Sequence, residues 1–419
     1  MRFLILLALL SFGVRFVAVV AMRDIHQPPN RQQVGADGVE YNALAKHVAK
    51  GKGYVWESGQ PTSFRAPGFP LFLSVIHWLT GSSYPTMHVV FCLLGAASCL
   101  LTYLLARELL PRATARVAGL LAAVYLPHVY FATRFDSENL FVPCLGLGMW
   151  MFVLHLKRGS VSWLLLSGLA FGAGALTRPF VLLLVPLLGL LLLFRSGTGF
   201  RRRLWVAASF TISFLVPVLP WTARNWMVHG KPVLIATNGG STFYGSNNTI
   251  VATDWQLLGA WVSTTKLPGR DAIDATPNEI AHDALEWRLG IEWVRDHPSL
   301  MPQLVAAKFV RLWLPDVESA NRKYVLLQLL TYTPFLLLIL AGLWGIWRSS
   351  AYYNSPWLAI HLTILATVVT GLLFWGSPRF RDANTPLLMM YAAVGAQAFV
   401  LARRRTALAN PAEVHAGVN

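Results

Sequence analysis

Acidic and basic side chains that could do chemistry occur in six short segments of this 419-residue chain, each next to a long apolar stretch. The segments carry Asp37 with Glu40, Arg65, Arg134 with Asp136 and Glu138, Arg178, Arg224, and Arg379 with Arg381 and Asp382. A carboxylate can take a proton from a hydroxyl group, and a guanidinium can bind two phosphate oxygens at once. If these segments meet at one membrane boundary, they predict a site for an anionic, lipid-linked substrate.

Each of these side chains also has a purely structural interpretation. Asp37 could cap a helix that starts at its own position, because aspartate is a favoured N-cap residue. Asp136 and Glu138 could cap the helix that follows them in the same way. Arg178 and Arg379 could be interfacial anchors, which is the commoner role of a lone arginine at a membrane boundary. The residue types alone leave both interpretations open.

The composition places most of the chain in a membrane. Hydrophobic residues make up 55% of the sequence and charged residues only 13%, whereas a soluble domain carries about a quarter charged residues. Apolar stretches of about 20 residues recur, which is the length that a helix needs to cross a bilayer. Backbone in lipid must satisfy its own hydrogen bonds, so the pattern predicts an all-α polytopic membrane protein with about ten transmembrane helices. The predicted spans are 3–22, 84–107, 115–132, 139–156, 161–177, 180–194, 204–221, 324–347, 356–375 and 384–402.

The basic residues predict the orientation. Arginine and lysine lie in every second loop, at positions such as Arg112, Lys157, Arg202, Arg348 and Arg404, and positive residues favour the cytoplasmic side. This distribution predicts a cell-membrane protein with cytoplasmic N- and C-termini and with its long loops outside. The net charge of +16 is not gathered in one basic domain, so it does not indicate nucleic-acid binding.

The N-terminal stretch resembles a signal peptide, but Arg15 interrupts its apolar core and no small-residue cleavage site follows. We therefore expect a retained first helix, in which Arg15 either snorkels or pairs within the bundle. A single membrane domain is expected to cover residues 1–405, and a short cytoplasmic tail to cover residues 406–419.

Two long insertions, at about 23–83 and 222–323, connect spans on the outer side. In the first, the pattern predicts a helix that begins at Asp37 and a short interfacial helix at about 68–80. In the second, the segment from Thr276 to Glu279 matches a capping box with proline at the first helical position. The apolar face of the helix that follows would contain Ile280, Ala284, Trp287, Ile291 and Val294. That helix could rest on the membrane surface or pack over the loop.

The order of these motifs resembles the GT-C superfamily of polyprenyl-phosphate-sugar glycosyltransferases, and within it the protein O-mannosyltransferases and lipid A aminoarabinose transferases. The resemblance runs from Arg15 to about Ala402. It rests on Asp37-Gly38-Val39-Glu40-Tyr41, Arg65-Ala66-Pro67-Gly68-Phe69-Pro70, Ser137-Glu138, Thr177-Arg178-Pro179, Pro220-Trp221-Thr222-Ala223-Arg224-Asn225, Asn238-Gly239-Gly240 through Asn247-Asn248, His297-Pro298 and Arg379-Phe380-Arg381. The first loop departs from the mannosyltransferase pattern, since Gly38 follows Asp37 where that group has adjacent acids.

The resemblance implies a GT-C-like bundle and an inverting transferase, which moves a sugar from a polyprenyl-phosphate donor to an acceptor hydroxyl at the extracytoplasmic face. It implies that Asp37 is the base and that Glu138 is a second acid, which orients the acceptor or a divalent cation. The candidates for binding the donor phosphate are Arg65, Arg178, Arg379, Arg381 and Arg224. The candidates for other substrate contacts are Tyr41, Asp136, Tyr244 and Asn247. The acceptor is left open between a lipid, a glycan and a protein, and membrane lipids surround the chain.

A second function is compatible with the same features, namely a transporter or flippase for a lipid-linked anion. Transporters of this kind often have internal repeats and broken helices near the membrane midplane. Here the polar segments are predicted at one boundary, on the side of both long insertions. That distribution favours chemistry at the membrane interface over transport across it.

Overall fold

The computed structural model describes residues 1–22, 24–195, 197, 199–315 and 322–409. Within this part of the chain there are nineteen α-helices and no β-sheet. Numbered in chain order, they are α1 (Arg2–Met22), α2 (Arg31–Ala49), α3 (Gly68–Thr80), α4 (Tyr84–Leu109), α5 (Arg112–Val124), α6 (Leu126–Phe131), α7 (Glu138–Arg158), α8 (Val161–Thr177), α9 (Val181–Phe194), α10 (Phe200–His229), α11 (Gly239–Ser246), α12 (Thr249–Thr253), α13 (Arg270–Asp274), α14 (Glu279–Asp296), α15 (Met301–Trp313), α16 (Arg322–Trp347), α17 (Ser355–Leu373), α18 (Pro378–Asp382) and α19 (Thr385–Ala409). Residues 410–419 of the predicted tail lie outside the described residues.

The predicted all-helical membrane fold is confirmed. Six of the described helices are long and apolar enough to cross a membrane, namely α1, α4, α7, α10, α16 and α17. Three more of the predicted spans are shorter apolar helices: α8, α9 and the apolar part of α19.

The predicted span at residues 115–132 is wrong, because two helices, α5 and α6, occupy this stretch. Pro127 has no N–H group, so it cannot donate the backbone hydrogen bond to the carbonyl of Ala123 that one continuous helix would need. The carbonyls of Ala123 and Ala122 accept hydrogen bonds from the guanidinium of Arg15 instead, at 3.3 and 3.4 Å. Arg15 is fully buried, so it pairs within the bundle and does not snorkel.

The core of the bundle lies around α7. This helix packs between α4 and α8, while α8 packs against α10 and α16 lies along α19. Large apolar side chains fill these contacts, among them Phe141, Phe152, Phe171, Phe210 and Leu388, and all of these are buried. Because this packing fixes the N-terminal end of α7 and the C-terminal end of α8, it also fixes the charged segments that begin there.

The first insertion contains α2 and α3, which pack against each other. α3 coincides with the interfacial helix that the sequence predicts at 68–80. α2 begins at Arg31, so the prediction of a helix that starts at Asp37 is wrong. Asp37 lies in the second turn of α2, where its side chain cannot cap the helix. The capping interpretation of Asp37 is therefore excluded.

The second insertion contains α11 to α15, and the start of α14 differs from the prediction. α14 begins at Glu279, and the side chain of Asn278 caps it by accepting a hydrogen bond from the N–H of Ala281 at 2.9 Å. The predicted cap at Thr276 is therefore wrong. Asparagine and threonine are both common N-caps, and only the backbone geometry distinguishes them here.

The predicted apolar face of α14 is displaced around the helix. Gly290 and Trp293 are buried, as is the acidic Glu286, whereas Ile291 is 49% exposed. α14 packs along α11, which matches the alternative of a helix packed over its own loop.

Glu279, at the start of α14, joins the two insertions. Its carboxylate accepts hydrogen bonds from the hydroxyl of Thr62 at 2.6 Å and from the N–H of Ser63 at 2.8 Å. It also accepts one from the hydroxyl of Thr237. The second insertion therefore holds the segment that leads directly to Arg65.

Candidate active site

Among the described residues, four carboxylates and four guanidinium groups form one continuous network of ion pairs. The acids are Asp37, Glu40, Asp136 and Glu138, and the bases are Arg65, Arg134, Arg178 and Arg379. We call this set the ion-pair network. Its members come from α2, from the segment before α3, from the turn between α6 and α7, from the end of α8 and from α18. The fold therefore brings together most of the charged motifs that the sequence singled out.

Arg379 is the centre of the ion-pair network. Its guanidinium binds both oxygens of Glu138, with Nε 2.8 Å from Oε1 and a terminal nitrogen 2.9 Å from Oε2. The other terminal nitrogen lies 3.2 Å from Oδ2 of Asp37. Oδ1 of Asp136 lies 3.8 Å from the terminal nitrogen that binds Glu138. One arginine thus faces three carboxylates, and the paired geometry at Glu138 is the strongest form of this contact.

Exposure differs sharply between these partners. The side chain of Glu138 is fully buried and that of Asp136 is 2% exposed, whereas Asp37 is 32% exposed and Arg379 is 34% exposed. The ion-pair network therefore has a buried end at Glu138 and an accessible end at Asp37. A substrate that approaches the network meets Asp37 and Arg379 first.

Arg65 binds the acids of α2. It lies 2.8 Å from Oδ1 of Asp37 and 2.7 Å from Oε2 of Glu40. Its guanidinium also lies over the ring of Tyr41, 5.7 Å from the centroid, and over the ring of Phe64 at 5.2 Å. Tyr41 thus contributes an aromatic surface for Arg65, and burial raises the pKa of its hydroxyl to about 12.

Arg178 and Arg65 are brought together by a close approach at Gly68. A Cβ atom at Gly68 would lie 2.9 Å from the backbone of Leu176, which no real side chain tolerates. The absence of a side chain therefore allows α3 to contact the end of α8. Arg178 follows directly and pairs with Glu138, and its guanidinium lies 5.4 Å from the centroid of the Phe380 ring.

Asp37 and Asp136, which lie outside the spanning helices, have opposite pKa shifts. Burial raises the pKa of Asp37, but Arg65 and Arg379 outweigh this effect, and the net pKa lies below the ordinary aspartate value. Burial raises the pKa of Asp136, and the neighbouring Glu138 adds to the increase. Asp37 is therefore an ionised carboxylate at neutral pH.

A cavity of about 400 Å³ opens beside the ion-pair network. Ala18, Met22, Leu126 and Val129 of α1 and α6 line its apolar wall, and Arg134, Asp136 and Arg379 line its polar end. Oδ1 of Asp136 is buried there without a hydrogen-bond partner. The volume is within the range of sites for small ligands, and the walls suit an amphiphile with an anionic head.

Arg381 lies outside this network although it is two residues from Arg379. It is buried and pairs with the adjacent Asp382 at 2.8 Å. It also donates to the carbonyls of Leu312 and Leu314 and lies over the ring of Tyr332. These contacts join α18 to α15 and α16, so the structure gives Arg381 a packing position.

Arg224 also lies outside the ion-pair network. It donates to the carbonyls of Thr62 and Tyr54 at 2.7 and 3.0 Å, and to the hydroxyl of Ser63 at 3.0 Å. Its guanidinium stacks on the ring of Trp221, 4.8 Å from the centroid. Through these hydrogen bonds Arg224 fixes the backbone that precedes Arg65, so it affects the network only indirectly.

Tyr244 and Asn247 lie in the core of the second insertion. The hydroxyl of Tyr244 donates to the carbonyl of Pro268 at 2.8 Å. The amide of Asn247 donates to the carbonyls of Phe243 and Leu373, and its oxygen accepts from the buried Lys308 at 2.8 Å. The structure therefore does not bring these two residues to the ion-pair network.

The sequence assigned no role to Glu40, Arg134 or Lys308. Glu40 is one helical turn from Asp37, and this spacing places both acids on one face of α2 towards Arg65. Arg134 pairs with Asp136 at 2.8 Å, and its proximity in sequence to two acids was the available signal. No sequence pattern marks Lys308, which lies within an ordinary amphipathic helix.

The possible divalent cation stays a prediction. Among the described residues, no group of three His, Cys, Asp or Glu side chains has the arrangement of a metal site. Both oxygens of Asp37 and of Glu138 are paired with guanidinium groups, while Oδ1 of Asp136 has no hydrogen-bond partner.

A family model described as dolichyl-phosphate-mannose-protein mannosyltransferase matches residues 64–221 of this chain. That stretch contains Arg65, Glu138 and Arg178 of the ion-pair network. No protein among the curated ones matches the sequence.

Among solved structures, the fold is similar to that of the archaeal oligosaccharyltransferase AglB from Archaeoglobus fulgidus, in complex with an inhibitory peptide and a dolichol-phosphate. The TM-score is 0.56 at 14% identity, and the match covers 98% of this chain and 51% of AglB. The same archaeal oligosaccharyltransferase in complex with Zn and sulfate gives a TM-score of 0.56 at 16% identity, with 99% and 51% covered. ArnT from Cupriavidus metallidurans bound to undecaprenyl phosphate gives 0.45 at 16% identity, with 94% and 78% covered.

This chain therefore spans about half the length of AglB. The similarity to AglB covers nearly the whole of the present chain, whereas the family model matches residues 64–221. The shared fold and the family model agree with the order of the motifs, which resembles the GT-C superfamily of membrane glycosyltransferases.

Proposed function

We propose that this chain is an inverting glycosyltransferase, which moves a sugar from a polyprenyl-phosphate donor to an acceptor hydroxyl at the extracytoplasmic face of the cell membrane. The observation that carries the proposal is the position of Arg379. This arginine pairs with the exposed Asp37 and the buried Glu138, and it lines the polar end of a cavity with apolar walls.

The cavity suits the lipid phosphate of the donor. The apolar wall from α1 and α6 can accommodate part of an isoprenoid chain, and Arg379 with Arg134 lies where the chain would end in phosphate. A guanidinium binds phosphate through paired hydrogen bonds, which fix both its position and its orientation. The dolichol-phosphate in the AglB structure, a relative in fold, supports a donor of this class.

The reaction breaks one bond and forms one bond at the anomeric carbon. The acceptor oxygen attacks this carbon while the bond from the carbon to the phosphate oxygen breaks, and the configuration inverts. The polyprenyl phosphate leaves with the bonding electron pair and gains negative charge, which fixed cations stabilise. Arg379 and Arg134 line the donor cavity and are placed to supply this stabilisation, and Arg65 and Arg178 are the other cations of the network.

The proton of the acceptor hydroxyl must move to a base, and we assign Asp37. Its lowered pKa keeps it ionised at neutral pH, and its exposure leaves it open to the acceptor. Glu138 is a poor alternative, because it is buried and three guanidinium nitrogens hold its two oxygens. Asp136 is nearly as buried, with a raised pKa. Glu40 is 26% exposed but pairs with Arg65 and not with Arg379, so Asp37 is the accessible acid that also contacts the central arginine.

Binding of the donor would make Asp37 a stronger base. In the free protein, Arg379 and Arg65 lower the pKa of Asp37. When a phosphate shares these guanidinium groups, it competes for their charge and adds a negative charge nearby. Both effects raise the pKa of the carboxyl. The base would thus gain proton affinity when the leaving group is in place.

The extracytoplasmic location rests on the distribution of basic residues. The short loops rich in arginine and lysine lie opposite the two insertions, and positive residues favour the cytoplasm. The ion-pair network is built from the insertions and from short segments on the same side as them. A lipid-phosphate sugar reaches that side of the membrane, whereas nucleotide sugars are made in the cytoplasm.

Incubation of the purified protein with polyprenyl-phosphate sugars tests the proposal. Undecaprenyl-phosphate mannose, glucose and aminoarabinose would be supplied in detergent, and release of undecaprenyl phosphate would be followed with cell-envelope membranes as acceptor. We expect the phosphate to appear with at least one donor, and not with nucleotide sugars. Movement of intact donor across a vesicle membrane without its consumption would instead identify a transporter.

A further inference from the structure

A second cavity, of about 350 Å³, adjoins the Ser377-Pro378 segment, as the donor cavity does. The two cavities share both residues of this segment as lining. The walls of the second one include Trp261, Trp375, Val310 and Arg311. Its volume is within the range of sites for small ligands.

The base of the second cavity is held by close backbone packing. The N–H of Gly376 donates to the carbonyl of Gly259 at 3.1 Å. A Cβ atom at Gly376 would lie 2.2 Å from the carbonyl oxygen of Lys308, so only glycine fits there. Lys308 is itself fully buried and donates to Asn247. Trp375 adjoins Gly376 in sequence and Trp261 lies two residues beyond Gly259, so this contact fixes the spacing of the two rings.

The two tryptophans are oriented by their other contacts. Their ring centroids lie 6.4 Å apart with the planes inclined at 44°. The indole N–H of Trp261 donates to the carbonyl of Ser241 at 3.1 Å. The guanidinium of Arg311 donates to the carbonyl of Gln256 at 2.6 Å and to that of Leu258. The cavity therefore has a preformed wall of two indoles beside one cation.

An aromatic contact leads from this wall to the ion-pair network. The ring of Trp375 lies 4.8 Å from that of Phe380, and the guanidinium of Arg178 lies 5.4 Å from the centroid of the same Phe380 ring. Arg178 in turn pairs with Glu138. The wall of the second cavity is therefore connected to buried Glu138 through two intervening side chains, Phe380 and Arg178.

The two indole rings and the guanidinium of this wall favour a carbohydrate as the ligand. One face of a sugar ring presents several C–H bonds with partial positive charge, and the face of an indole ring carries partial negative charge. The sugar hydroxyls can accept from a guanidinium or from backbone N–H groups at the rim. In a polypeptide only the proline ring offers a comparable C–H face, and the test below distinguishes a peptide from a carbohydrate.

We propose that the second cavity binds a carbohydrate portion of the acceptor, so that the acceptor is a glycan or a glycolipid. This inference rests on the proposed function for its role in transfer. As a binding site for carbohydrate, it can be tested without turnover.

The first arm of the test measures transfer. The purified protein would be incubated with radiolabelled undecaprenyl-phosphate sugar and with envelope membranes from cells that lack this chain. Separate samples of the labelled product would then be treated with protease or with glycosidase. We expect label in a fraction that glycosidase releases and protease does not. Label found only in protein would overturn the proposal. An absence of donor consumption by the unmodified protein would count against the proposed function instead.

The matched variants are Trp375→Ala, Trp375→Phe and, as the control, Trp255→Ala. Trp255 belongs to the second insertion, like Trp261, is 80% exposed and does not line the cavity. We expect Trp375→Ala to raise the KM for acceptor by roughly tenfold, the factor that about 1.4 kcal/mol of lost stacking gives. Trp375→Phe should restore much of the affinity. Equal behaviour of Trp375→Ala and Trp255→Ala would overturn the assignment.

The second arm does not depend on activity. A photoreactive benzoylphenylalanine at Val310, which lines the cavity and is 49% exposed, would be irradiated in intact membranes. Periodate labelling of the adduct then reports whether carbohydrate was captured. Capture of a carbohydrate-bearing molecule supports the site. Capture of phospholipid or peptide alone, or of nothing, would overturn it even if the enzyme proves active.

Discussion

Arg379 binds both oxygens of Glu138, a residue 241 positions earlier in the chain. The same guanidinium contacts Asp37, which is 342 positions away. Three distant parts of the sequence, α2, α7 and α18, therefore depend on one side chain for their relative position. Because one partner is buried and the other exposed, Arg379 is both a structural contact and an accessible cation, and its substitution should affect both roles.

Substitution of Asp37 by asparagine separates proton transfer from binding. The amide keeps the shape of the carboxylate but has no basic lone pair near neutral pH. We expect Asp37→Asn to lose roughly a hundredfold or more in turnover, in line with the contribution of a general base. Donor binding and the melting temperature should stay close to those of the unmodified protein. The measurement is kcat with donor in excess, beside an equilibrium binding assay.

The matched variants for this test are Glu138→Gln and Asp136→Asn. Glu138→Gln removes a buried charge that faces two arginines, so it should lower stability as well as activity. If Asp37→Asn keeps most of its turnover and Asp136→Asn loses it, the reaction stands and the base is Asp136.

Replacement of Arg379 by lysine keeps the charge and removes the planar fork. We expect the KM for the donor to rise by roughly tenfold or more, since a lysine cannot hold two oxygens at once. Arg379→Ala should also destabilise the fold, by less than the roughly 3–5 kcal/mol of a fully unpaired buried charge, because buried Glu138 keeps its pair with Arg178. Donor titrations and thermal melts measure the two effects. Arg202→Ala, at an exposed position at the start of α10, is the control and should change neither.

Asp283 should make stability depend on pH. Burial raises the pKa of this carboxyl to about 6, although the N–H of Gly240 donates to it at 2.6 Å. The folded state then holds the proton more tightly than the unfolded state, so this residue's contribution to the free energy of unfolding falls as pH rises from about 4 to 6.

Asp283→Asn keeps an oxygen that can accept from Gly240 and removes the titration. We expect it to raise the melting temperature at pH 7.5 and to have little effect at pH 4. The exposed Asp254, whose carboxylate accepts from the N–H of Gln256, provides the control variant Asp254→Asn. A rise of equal size at both pH values for Asp283→Asn would contradict the assigned cause.

The orientation of the chain can be measured with single cysteines. In a background without the native cysteines, Gln60→Cys and Thr265→Cys should react with an impermeant maleimide in intact cells. Arg202→Cys and Ser350→Cys should react only after permeabilisation. The expectation follows from the positive-inside rule. Labelling of position 265 from the cytoplasm alone would reverse the orientation and move the site to the other face.

Much of the bundle could be predicted, because the length of an apolar stretch and the charge of its flanks are local properties. The start of α2 was missed, since the residues between Arg31 and Asp37 have no apolar period, although Asn30 directly before Arg31 is a favoured N-cap residue. Arg379 and Arg381 show the same limit within the site. They are two positions apart on one short helix, so they point in nearly opposite directions. One faces the ion-pair network and the other Asp382, and the sequence motif does not distinguish them.

The contact of Arg15 with the break between α5 and α6 has a consequence for assembly in the membrane. An arginine in an isolated first helix is expensive to insert, and the carbonyl of Ala123, which lacks its helical donor because of Pro127, is expensive to leave unpaired in hydrocarbon. The bonds from Arg15 to Ala122 and Ala123, with its contact to His128, relieve both costs. We therefore expect α1 to associate with α5 and α6 early in biogenesis, before these helices take their final depth in the bilayer.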